Sequence, residues 1–534
     1  MLLPVLALLS AAGPGQAEVF SALADLHHLV DTERVVIDTL QRIIQAEQLR
    51  IQRLQQRLAW YEHRHTELLE NTDGHLENPL GAFLLVKRLT ADWQETLDMA
   101  TESAGRTVLK GVTSSFADLR LPNEEDLSGA AQALVRLQDT YQLDTFDFAR
   151  GEIPGSSLGR ELTAWDCFVL GRECYFLGDF GHARPWLEEA WHRSQREALI
   201  AHSPLATTLI YLAFATYRMG DTARALALTR DLLQVDPAHK VARDNVVAFE
   251  RELQEMKRKA DVAKPDLPSM TTDDVDHVSE SLADHLETEN RLYRALCRGH
   301  LPLAPSVLKR LRCYYSHNGV AFLRLRPVPT EDLYLDPHIV LFHDVMHDSE
   351  IEAIKNVSAP LLQRATIRNF HTGELETANY RISKSAWLNS RHHNAVTRVE
   401  RRVAQLTGLS LNTAEELQVV NYGIGGHYEP HSDYTTNKAI AAELEDGNRI
   451  ATFIFYMSDV AAGGATVFTQ LGAVVKPRRG SAAFWYNLHA DGSGDWRTRH
   501  AACPVLVGSK WVANKWFHEH DNEFRRPCRL QPDL

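Results

Sequence analysis

The segment HYEPHSDYTT contains residue types that bind metal ions, at a spacing that suits a β-strand. His431 and Asp433 stand two positions apart, so in an extended strand both side chains point to the same face. An isolated H-x-D triplet can equally form a polar turn, so a third ligand has to come from elsewhere. We select His500, in TRHAACPV, because an apolar strand-like run follows it. Two imidazoles and a carboxylate form the facial triad of non-haem Fe(II) oxygenases.

Zinc is the competing metal for this ligand set. A catalytic zinc ion keeps one open coordination position, whereas a facial triad leaves three positions for cosubstrates. The sequence contains no H-E-x-x-H motif, which is typical of zinc-dependent peptidases. Fe(II) is therefore the metal that the ligand set favours.

Lys510 has apolar neighbours in VGSKWVANKW and stands ten residues after His500. Ten residues of strand span about 33 Å, so the chain has to turn between the two residues if both line one pocket. A lysine at such a place is commonly a surface residue of an edge strand. Beside an Fe(II) site, however, its ammonium would bind the distal carboxylate of a 2-oxoglutarate cosubstrate.

The elements that position these residues begin after Asp336, where the sequence changes to short apolar runs separated by Gly-rich turns. Many short strands at such intervals predict a sandwich or a jelly-roll barrel. Two helices interrupt the strands. One begins after Asp348, and the other carries apolar residues at helical spacing and ends at Gly408.

The amino-terminal third is helical, with a seven-residue rhythm of apolar residues between Leu23 and Tyr61. The a and d positions hold Leu23, Leu26, Val30, Ile37, Leu40, Ile44, Ile51, Leu54, Leu58 and Tyr61. Such a stripe predicts either a coiled coil that joins two chains or a long helix packed within its own domain. More helical sequence follows to about residue 145.

Residues 163–240 contain two similar helical pairs. Leu170-Gly171, Gly178 and Ala183 in the first pair match Leu212-Ala213, Gly220 and Ala225 in the second, which ends at Asp236-Pro237. Small residues at helix contacts and glycine at the turn are typical of tetratricopeptide repeats. Aromatic residues line these helices: Tyr175, Phe176, Tyr211, Phe214 and Tyr217. They are either core residues or a surface on which a proline-rich peptide would stack.

Composition bounds the function. The chain has 534 residues, 44% of them hydrophobic, which is enough for roughly three or four domains. A formal net charge of −13 argues against a general nucleic-acid binder, because phosphate affinity requires a basic face.

Residues 1–17 resemble a secretory signal with cleavage near Ala17, although a buried helix is the alternative. No segment reaches the roughly 20 apolar residues of a membrane span.

Six cysteines are consistent with an oxidising compartment. The spacing suggests two local disulfides, Cys297 with Cys313 and Cys503 with Cys528. Cys167 and Cys174 are seven residues apart in a helical pattern, about 10 Å along the axis, which is too far for a disulfide. We expect these two to be buried thiols.

Asn356 begins a sequon for N-glycosylation, and residues 256–278 have the composition of a linker.

Taken together, several segments resemble the family of collagen prolyl 4-hydroxylase catalytic alpha subunits. They are LVRLQDTYQLD, YRISKSAWL, AEELQVVNYGIGGHYEPHSD, NRIATFIFYMSDVAAGGATVF, FWYNL and TRHAACPVLVGSKWVANKWFHE. The resemblance implies an amino-terminal dimerisation region, a tetratricopeptide domain that binds proline-rich peptides, and a catalytic double-stranded β-helix, or jelly roll. The expected fold is therefore multidomain, with helical amino-terminal domains and a β-rich carboxyl-terminal domain.

We accordingly expect five parts in the chain. They are a signal peptide (1–17), a helical dimerisation domain with a coiled coil (18–145), a tetratricopeptide-like domain (146–250), a linker with a helical segment (251–335) and an Fe(II)/2-oxoglutarate dioxygenase domain (336–534).

Position by position, the resemblance implies that His431, Asp433 and His500 bind iron and that Lys510 binds 2-oxoglutarate. Other residues follow from the same comparison: Tyr422, Thr466 and Trp516 around the cosubstrate, Arg449 near the substrate, and Tyr175, Tyr211, Phe214 and Tyr217 in the peptide groove. The two disulfides suggested by spacing are also those that the resemblance implies. Ser432 departs from the family, in which an aromatic residue is common at this position, and Cys174 has no family counterpart.

The implied reaction is 4-hydroxylation of proline in X-Pro-Gly sequences of procollagen, coupled to oxidative decarboxylation of 2-oxoglutarate to succinate and CO2. It requires Fe(II), 2-oxoglutarate, O2 and L-ascorbate. The implied partner is protein disulfide isomerase, as the beta subunit of an alpha2-beta2 tetramer. The chain ends in LQPDL, without a K-D-E-L signal, so this partner would retain it in the lumen of the endoplasmic reticulum.

Two other functions remain compatible with these residues. One is a non-catalytic collagen-binding repeat protein with a vestigial jelly roll, although all four key site residues are present. The other is a 2-oxoglutarate oxygenase that acts on a different peptide residue, such as a lysyl hydroxylase or an oxygen-sensing prolyl hydroxylase. The repeats and the signal sequence argue against the oxygen sensor.

Overall fold

The computed structural model describes residues 18–70, 85, 88–101, 108, 122–156, 159–196, 205–262, 282–300, 303–368, 375–437, 440–441 and 444–530. The predicted signal segment and residues 263–278 of the predicted linker lie outside these ranges. The chain forms two compact units, which we describe separately. One contains Asp25–Asn123, and the other contains Glu18–Ala24 with Glu124–Leu534.

The described helices are α1 Leu23–Glu70, α2 Trp93–Thr101, α3 Glu124–Tyr141, α4 Thr145–Ala149, α5 Ala164–Phe176, α6 Phe180–Arg196, α7 Leu205–Arg218, α8 Thr222–Val235, α9 Lys240–Val262, α10 Leu282–Cys297, α11 Pro305–Leu308, α12 Ala321–Leu325, α13 Asp348–Ser358 and α14 Asn394–Thr407. Short 3-10 helices lie at Val19–Ser21, Ala359–Leu361 and Trp496–Thr498, and a π-helical turn lies at Arg88–Asp92. None of the described helices combines the length and apolar character that a membrane span requires.

The described strands are β1 Cys313–Ser316, β2 Val328–Leu335, β3 His338–Phe342, β4 Gln363–Arg364, β5 Thr366–Arg368, β6 Leu375–Thr377, β7 Arg381–Ile382, β8 Lys384–Leu388, β9 Leu417–Tyr422, β10 His427–His431, β11 Arg449–Tyr456, β12 Ala462–Gly463, β13 Thr466–Phe468, β14 Ala473–Val475, β15 Ala482–Tyr486, β16 His500–Ala502, β17 Val505–Val507 and β18 Lys510–His518.

The long helix α1 confirms the continuous helix that the heptad rhythm predicts. It has 48 residues. Within its unit, Arg57 forms an ion pair with Glu95, and the Tyr61 ring contacts Trp93 edge to face at a centroid distance of 6.0 Å. Many of the a and d side chains remain exposed in the single chain, as Val30 and Leu58 illustrate. Pairing of this stripe with a second chain stays a prediction.

The two helical pairs of the repeat are present as α5–α6 and α7–α8. Gly171 lies where α5 contacts α6, and a Cβ atom there would stand 2.7 Å from Leu187 Cγ, so only glycine permits this approach. Gly178 and Gly220 end the first helix of each pair with φ of +77° and +88°, which favours glycine. Cys167 and Cys174 are buried thiols outside any disulfide, as predicted.

The carboxyl-terminal domain is a jelly roll of two antiparallel sheets, which confirms the predicted fold class. The larger sheet has the strand order β1-β2-β3-β15-β11-β18-β9-β8-β4, and the smaller one has the order β14-β13-β16-β10-β7. Apolar side chains of both sheets, among them Val420, Ile454 and Phe468, form one core cluster between them. Strands β1 and β2, which precede the predicted domain start at residue 336, also belong to the larger sheet.

Helices α13 and α14 cover the outer face of the larger sheet. Ile351 and Ile354 of α13 and Val399 and Val403 of α14 join a second core cluster that contains Phe453 of β11. As predicted, α14 ends at Gly408, whose φ of +76° and backbone N–H to Ala404 O bond form the helix cap.

Both predicted disulfides are wrong in this structure. Cys297, the last residue of α10, is bonded to Cys503, directly after β16, across 206 residues of chain and with a Cα–Cα distance of 5.5 Å. Cys313 and Cys528 are exposed free thiols. Spacing along the chain measures how easily a loop closes. The packing of α10 against the smaller sheet decided which sulfurs meet, and the sequence pattern does not contain that information.

Candidate metal and cosubstrate site

Two neighbouring strands of the smaller sheet bring the predicted metal ligands together. Strands β10 and β16 are antiparallel, and their register places His431 opposite His500. Asp433 follows two residues after His431. One ligand atom from each side chain lies within 4.8 Å of the others, and no other such group of three exists among the residues that the structure describes. The sequence prediction of these three ligands agrees with this geometry.

Backbone carbonyls orient both imidazoles. His431 Nδ1 lies 2.8 Å from the Glu429 carbonyl oxygen, and His500 Nδ1 lies 3.1 Å from that of Thr498. Because a carbonyl oxygen only accepts, each Nδ1 carries the proton and each Nε2 offers its lone pair. The two Nε2 atoms lie 3.7 Å from Asp433 Oδ1 and Oδ2, respectively. The triad therefore presents two imidazole nitrogens and a carboxylate toward one point.

The surroundings of His431 and Asp433 favour the protonation states that a metal requires. Burial lowers the pKa of His431 to about 3, so its imidazole is neutral at physiological pH. Burial raises the pKa of Asp433, but the His500 and His431 imidazoles together with Arg449 outweigh this effect and hold the pKa below its usual value. The donor set fits a divalent ion with a preference for N and O ligands, such as Fe(II).

Asp433 is held by two hydrogen bonds to the same oxygen. The Thr452 hydroxyl donates to Asp433 Oδ2 at 2.7 Å, and Trp516 Nε1 donates to it at 2.9 Å. Trp516 is predicted to bind the cosubstrate, and its ring does line the cavity. Its polar atom, however, is directed to the carboxylate, so the structure gives it a second role in orienting a ligand.

A cavity between the two sheets contains the triad. It is lined by Arg381, Tyr422, Tyr428, His431, Asp433, Ile454, Thr466, His500, Ala501, Ala502, Lys510, Val512, Asn514 and Trp516. The predicted site residues Tyr422, Thr466 and Lys510 are thus brought to the same space as the metal ligands. The chain turns after β16 and returns as β18, as the distance from His500 to Lys510 requires.

Lys510 is a buried ammonium that faces this cavity. It is 1% exposed, and its Nζ lies 4.8 Å from the centroid of the Tyr422 ring, in the neighbouring strand β9. No carboxylate among the described residues forms an ion pair with it, and burial lowers its pKa to about 7. A ligand carboxylate would supply the missing counter-charge.

A hydroxyl pair lies near the lysine. Tyr456 donates a hydrogen bond from its hydroxyl to Thr466 Oγ1 at 2.9 Å, and both side chains are buried. Burial raises the pKa of Tyr456, so the phenol keeps its proton. Because Tyr456 occupies an acceptor position on Thr466, the threonine proton is available to a ligand oxygen. Lys510 and Thr466 together fit the distal carboxylate of a dicarboxylic acid.

Arg449, predicted to lie near the substrate, is beside the cavity but does not line it. Its Nη2 donates to Glu415 Oε2 at 2.9 Å, and its guanidinium stacks on Trp516 at 4.2 Å. Burial raises the pKa of Glu415, but hydrogen bonds from His518 and Arg449 bring it to about 2. Arg449 therefore supports the tryptophan that holds Asp433, and a substrate contact stays a proposal.

Sequence reasoning missed three of the polar residues that line the cavity, namely Arg381, Tyr428 and Asn514. Arg381 is buried and stacks over Tyr428 at 4.8 Å, and the Tyr428 ring in turn stacks on His431 at 3.5 Å. Asn514 lies on β18 between Lys510 and Trp516 in sequence. The alternation of side chains along a strand could have predicted Asn514. It is an even number of residues away from both Lys510 and Trp516, so all three side chains lie on the same face of β18. Nothing local pointed to Arg381.

The predicted peptide-groove aromatics form one cluster on α5 and α7. The Tyr175 ring contacts Tyr211 at 4.9 Å and Phe214 at 5.7 Å, and Phe214 contacts Tyr217 at 6.1 Å. These four residues are partly exposed, which agrees with either a repeat core or a binding surface.

Asn356, the predicted glycosylation site, is exposed near the end of α13, and its modification remains a prediction.

The low pKa of Lys510 predicts a pH dependence of cosubstrate binding. The free site loses its positive charge as the pH rises through about 7, whereas binding of a dicarboxylate requires that charge. We expect the dissociation constant of 2-oxoglutarate to rise about tenfold per pH unit above 7. Calorimetric titrations between pH 6 and 9 test this. In the Lys510→Arg variant the profile should be flat, and a flat profile in the native protein would contradict the prediction.

Comparison with known proteins agrees with the site. Residues 22–155 match the family model of the prolyl 4-hydroxylase alpha-subunit N-terminal region, residues 164–255 that of the prolyl 4-hydroxylase peptide-substrate-binding domain, and residues 417–518 that of the 2OG-Fe(II) oxygenase superfamily. The solved structure of a viral collagen prolyl hydroxylase from Paramecium Bursaria Chlorella virus-1 aligns with 33% of this chain and with 94% of the viral chain. The sequence identity is 22% and the TM-score is 0.28.

Two relatives match almost end to end. Prolyl 4-hydroxylase subunit alpha-2 of Caenorhabditis elegans is 43% identical over 531 residues, which cover 98% of this chain and 95% of the relative. Prolyl 4-hydroxylase subunit alpha-1 of Homo sapiens is 42% identical over 525 residues, which cover 98% and 97%. The chain therefore belongs to the prolyl 4-hydroxylase alpha-subunit family of 2-oxoglutarate- and Fe(II)-dependent enzymes.

Proposed function

We propose that the prolyl hydroxylation typical of this family takes place, in this chain, at C4 of proline in X-Pro-Gly sequences of procollagen. The reaction is coupled to oxidative decarboxylation of 2-oxoglutarate to succinate and CO2. The observation that supports it is a single cavity that holds an oriented facial triad and a buried lysine without a counter-ion. Lys510 has no ion-pair partner among the described residues, and the carboxylate of a bound cosubstrate would offset the cost of burying its charge.

Each residue has a defined task in this proposal. His431, Asp433 and His500 hold Fe(II), which when bound supplies the chemistry that couples O2 to the decarboxylation and to oxygen insertion. Lys510 and Thr466 bind the distal carboxylate of 2-oxoglutarate, so that its other end reaches the triad. The apolar side chains of Ile454 and Val512, which also line the cavity, exclude water from the cosubstrate.

The repeat domain is proposed to bind the substrate chain. A polyproline II helix presents flat rings and free carbonyls, which suit stacking on partly exposed aromatic side chains. The cluster of Tyr175, Tyr211, Phe214 and Tyr217 supplies such a surface. Removal of one ring affects substrate binding without changing the metal site in the jelly roll.

We expect the Tyr211→Ala variant to bind (Pro-Pro-Gly)n about 5- to 10-fold more weakly, which corresponds to the loss of one aromatic contact of about 1 to 1.5 kcal/mol. Tyr211→Phe keeps the ring and should bind within about twofold of the native affinity. Calorimetry without iron or 2-oxoglutarate measures this directly. Equal affinities for Tyr211→Ala and the native protein would assign the cluster to the core.

The assembly and its location are proposed as well. The exposed apolar stripe of α1 suits a helical partner from a second copy of the chain. We propose an alpha2-beta2 tetramer with protein disulfide isomerase in the lumen of the endoplasmic reticulum. The disulfide between Cys297 and Cys503 is consistent with an oxidising compartment. L-Ascorbate as the reductant and glycosylation of Asn356 belong to the same proposal.

Mass spectrometry of a collagen-like peptide tests the function. The chain, co-expressed with protein disulfide isomerase, is incubated with (Pro-Pro-Gly)n, Fe(II), 2-oxoglutarate, O2 and ascorbate. One added oxygen on the proline before glycine, absent from the His431→Ala and Lys510→Ala variants, supports the proposal. Peptide binding without oxygen transfer would favour a vestigial jelly roll. Oxygen added to another residue would indicate an oxygenase that acts on that residue type.

A further inference from the structure

Helix α10 lies against the outer surface of the smaller sheet, on the strand that carries His500. We propose that Glu289 and Tyr293 of this helix are positioning residues for His500, so that the helix controls the metal affinity of the site. This inference rests on the proposed metal-binding role of the triad. The helix lies outside the part of the chain that matches the oxygenase family, residues 417–518.

Three residues of α10 hold the chain on either side of His500. Arg499 Nε donates to Glu289 Oε1 at 2.7 Å, directly before the ligand. The Tyr293 hydroxyl donates to the Ala502 carbonyl oxygen at 3.1 Å, two residues after it. Cys297 is bonded to the residue after Ala502. Positions 289, 293 and 297 are four residues apart, so one face of the helix makes all three contacts.

These contacts reach the strand from its outer side. Ala502 belongs to the core cluster between the two sheets, whereas Ala501 and Cys503 belong to a separate buried cluster with Tyr293 and Leu296 of α10. Side chains of a strand alternate between its faces, so the helix packs behind the ligand without entering the cavity. Tyr293 is 5% exposed, and loss of its hydroxyl would leave a buried carbonyl oxygen without this donor.

The carboxylate of Glu289 also contacts the neighbouring strand at the level of His500. Its Oε1 accepts a hydrogen bond from the Thr469 hydroxyl at 2.9 Å, directly after β13. The last residue of β13, Phe468, is the register partner of His500. One carboxylate thus connects the segment that carries His500 to the neighbouring strand β13.

The position of the His500 ring depends on its backbone. Its Nδ1 donates to the Thr498 carbonyl oxygen, and its ring packs on Trp485 at a centroid distance of 4.8 Å. A small displacement of β16 therefore moves Nε2 relative to the other two ligands. Metal affinity is sensitive to such displacements, because coordination distances are narrow and outer-shell partners typically change affinity about 10- to 100-fold.

Metal titration of the Tyr293→Phe variant tests the inference, because this change removes only the hydroxyl. We expect its dissociation constant for Co(II), followed by ligand-field absorption, to rise about 3- to 10-fold, a smaller effect than that of a direct ligand partner. Glu289→Leu should weaken binding at least as much, and Glu289→Gln, which retains an accepting Oε1, should weaken it less. With saturating metal, kcat and the KM for 2-oxoglutarate should stay close to native.

Two controls separate positioning from general destabilisation. Glu287→Gln changes an exposed carboxylate on the same helix, and Trp186→Phe removes a buried hydrogen bond to Gln138 in the repeat domain. Both should keep native Co(II) affinity. Native affinity in folded Tyr293→Phe and Glu289→Leu, or an equal loss in Trp186→Phe, would overturn the inference. Native affinity in His431→Ala would instead refute the proposed metal site itself.

Discussion

Replacement of Asp433 by alanine is expected to abolish metal binding and to lower hydroxylation by more than about 10³-fold, or about 4 kcal/mol of transition-state stabilisation. Asp433 supplies the only carboxylate of the triad, and its two neighbours in the triad are imidazoles, which carry no negative charge. Without the carboxylate, a divalent cation in this buried cavity has no compensating charge. The direct measurements are metal content after dialysis and the rate of oxygen transfer to (Pro-Pro-Gly)n.

The structure also predicts what this variant does to the fold. Thr452 and Trp516 lose their shared acceptor, at a cost of roughly 1 to 3 kcal/mol for each donor left without a partner. Circular dichroism shows whether the jelly roll persists. Asp491→Ala is the matched control, since this exposed aspartate lies in the same domain and accepts hydrogen bonds only from its own turn. Asp433→Ala protein that retains stoichiometric iron would refute the ligand assignment.

Replacement of Lys510 by methionine is expected to raise the dissociation constant of 2-oxoglutarate about 10- to 100-fold, the usual effect of one charge-assisted hydrogen bond. Metal affinity should not change, because Lys510 lies in the same cavity but is not a member of the triad. This separates the variant from Asp433→Ala, which loses the metal. Titration of 2-oxoglutarate into the Co(II)-loaded protein measures the loss.

The same variant should be more stable than the native protein. Burial holds the pKa of Lys510 at about 7, below the value of about 10.4 in an unfolded chain. A lowered folded-state pKa means that the lysine destabilises the protein at low pH, and that this effect diminishes as the pH rises from 7 to about 10. The gain in Tm from Lys510→Met should therefore be largest at or below pH 7.

Lys476→Met is the matched control for Lys510, because it removes an exposed lysine of the same domain. It should change neither the affinity for 2-oxoglutarate nor the dependence of Tm on pH. If Lys510→Met bound 2-oxoglutarate with native affinity, the cosubstrate would have to bind elsewhere in the cavity. If the Tm of Lys510→Met at pH 6 were equal to or lower than that of the native protein, Lys510 would not be a charge that folding buries without a counter-ion.

Local rules of chain geometry were sufficient for much of this protein. The i, i+2 spacing of His431 and Asp433 predicted their convergence, since a strand has a period of two. Gly171, Gly178 and Gly220 marked a helix contact and two turns, because a Cβ atom at Gly171 would collide with Leu187 and the positive φ of Gly178 and Gly220 favours glycine. The heptad rhythm predicted α1, and the family segments added Lys510, Tyr422 and Thr466. These inferences needed only periodicity, turn chemistry and short motifs.

Contacts between distant segments were decided by tertiary packing alone. The pairing of Cys297 with Cys503, the inclusion of β1 and β2 in the larger sheet, and the approach of Arg381 to the cavity have no local signature. The same holds for Glu289 and Tyr293 behind His500. The sequence by itself determined which residues could bind iron and 2-oxoglutarate. Only the folded structure decided what holds them, because burial and hydrogen bonding across hundreds of residues depend on how the elements pack.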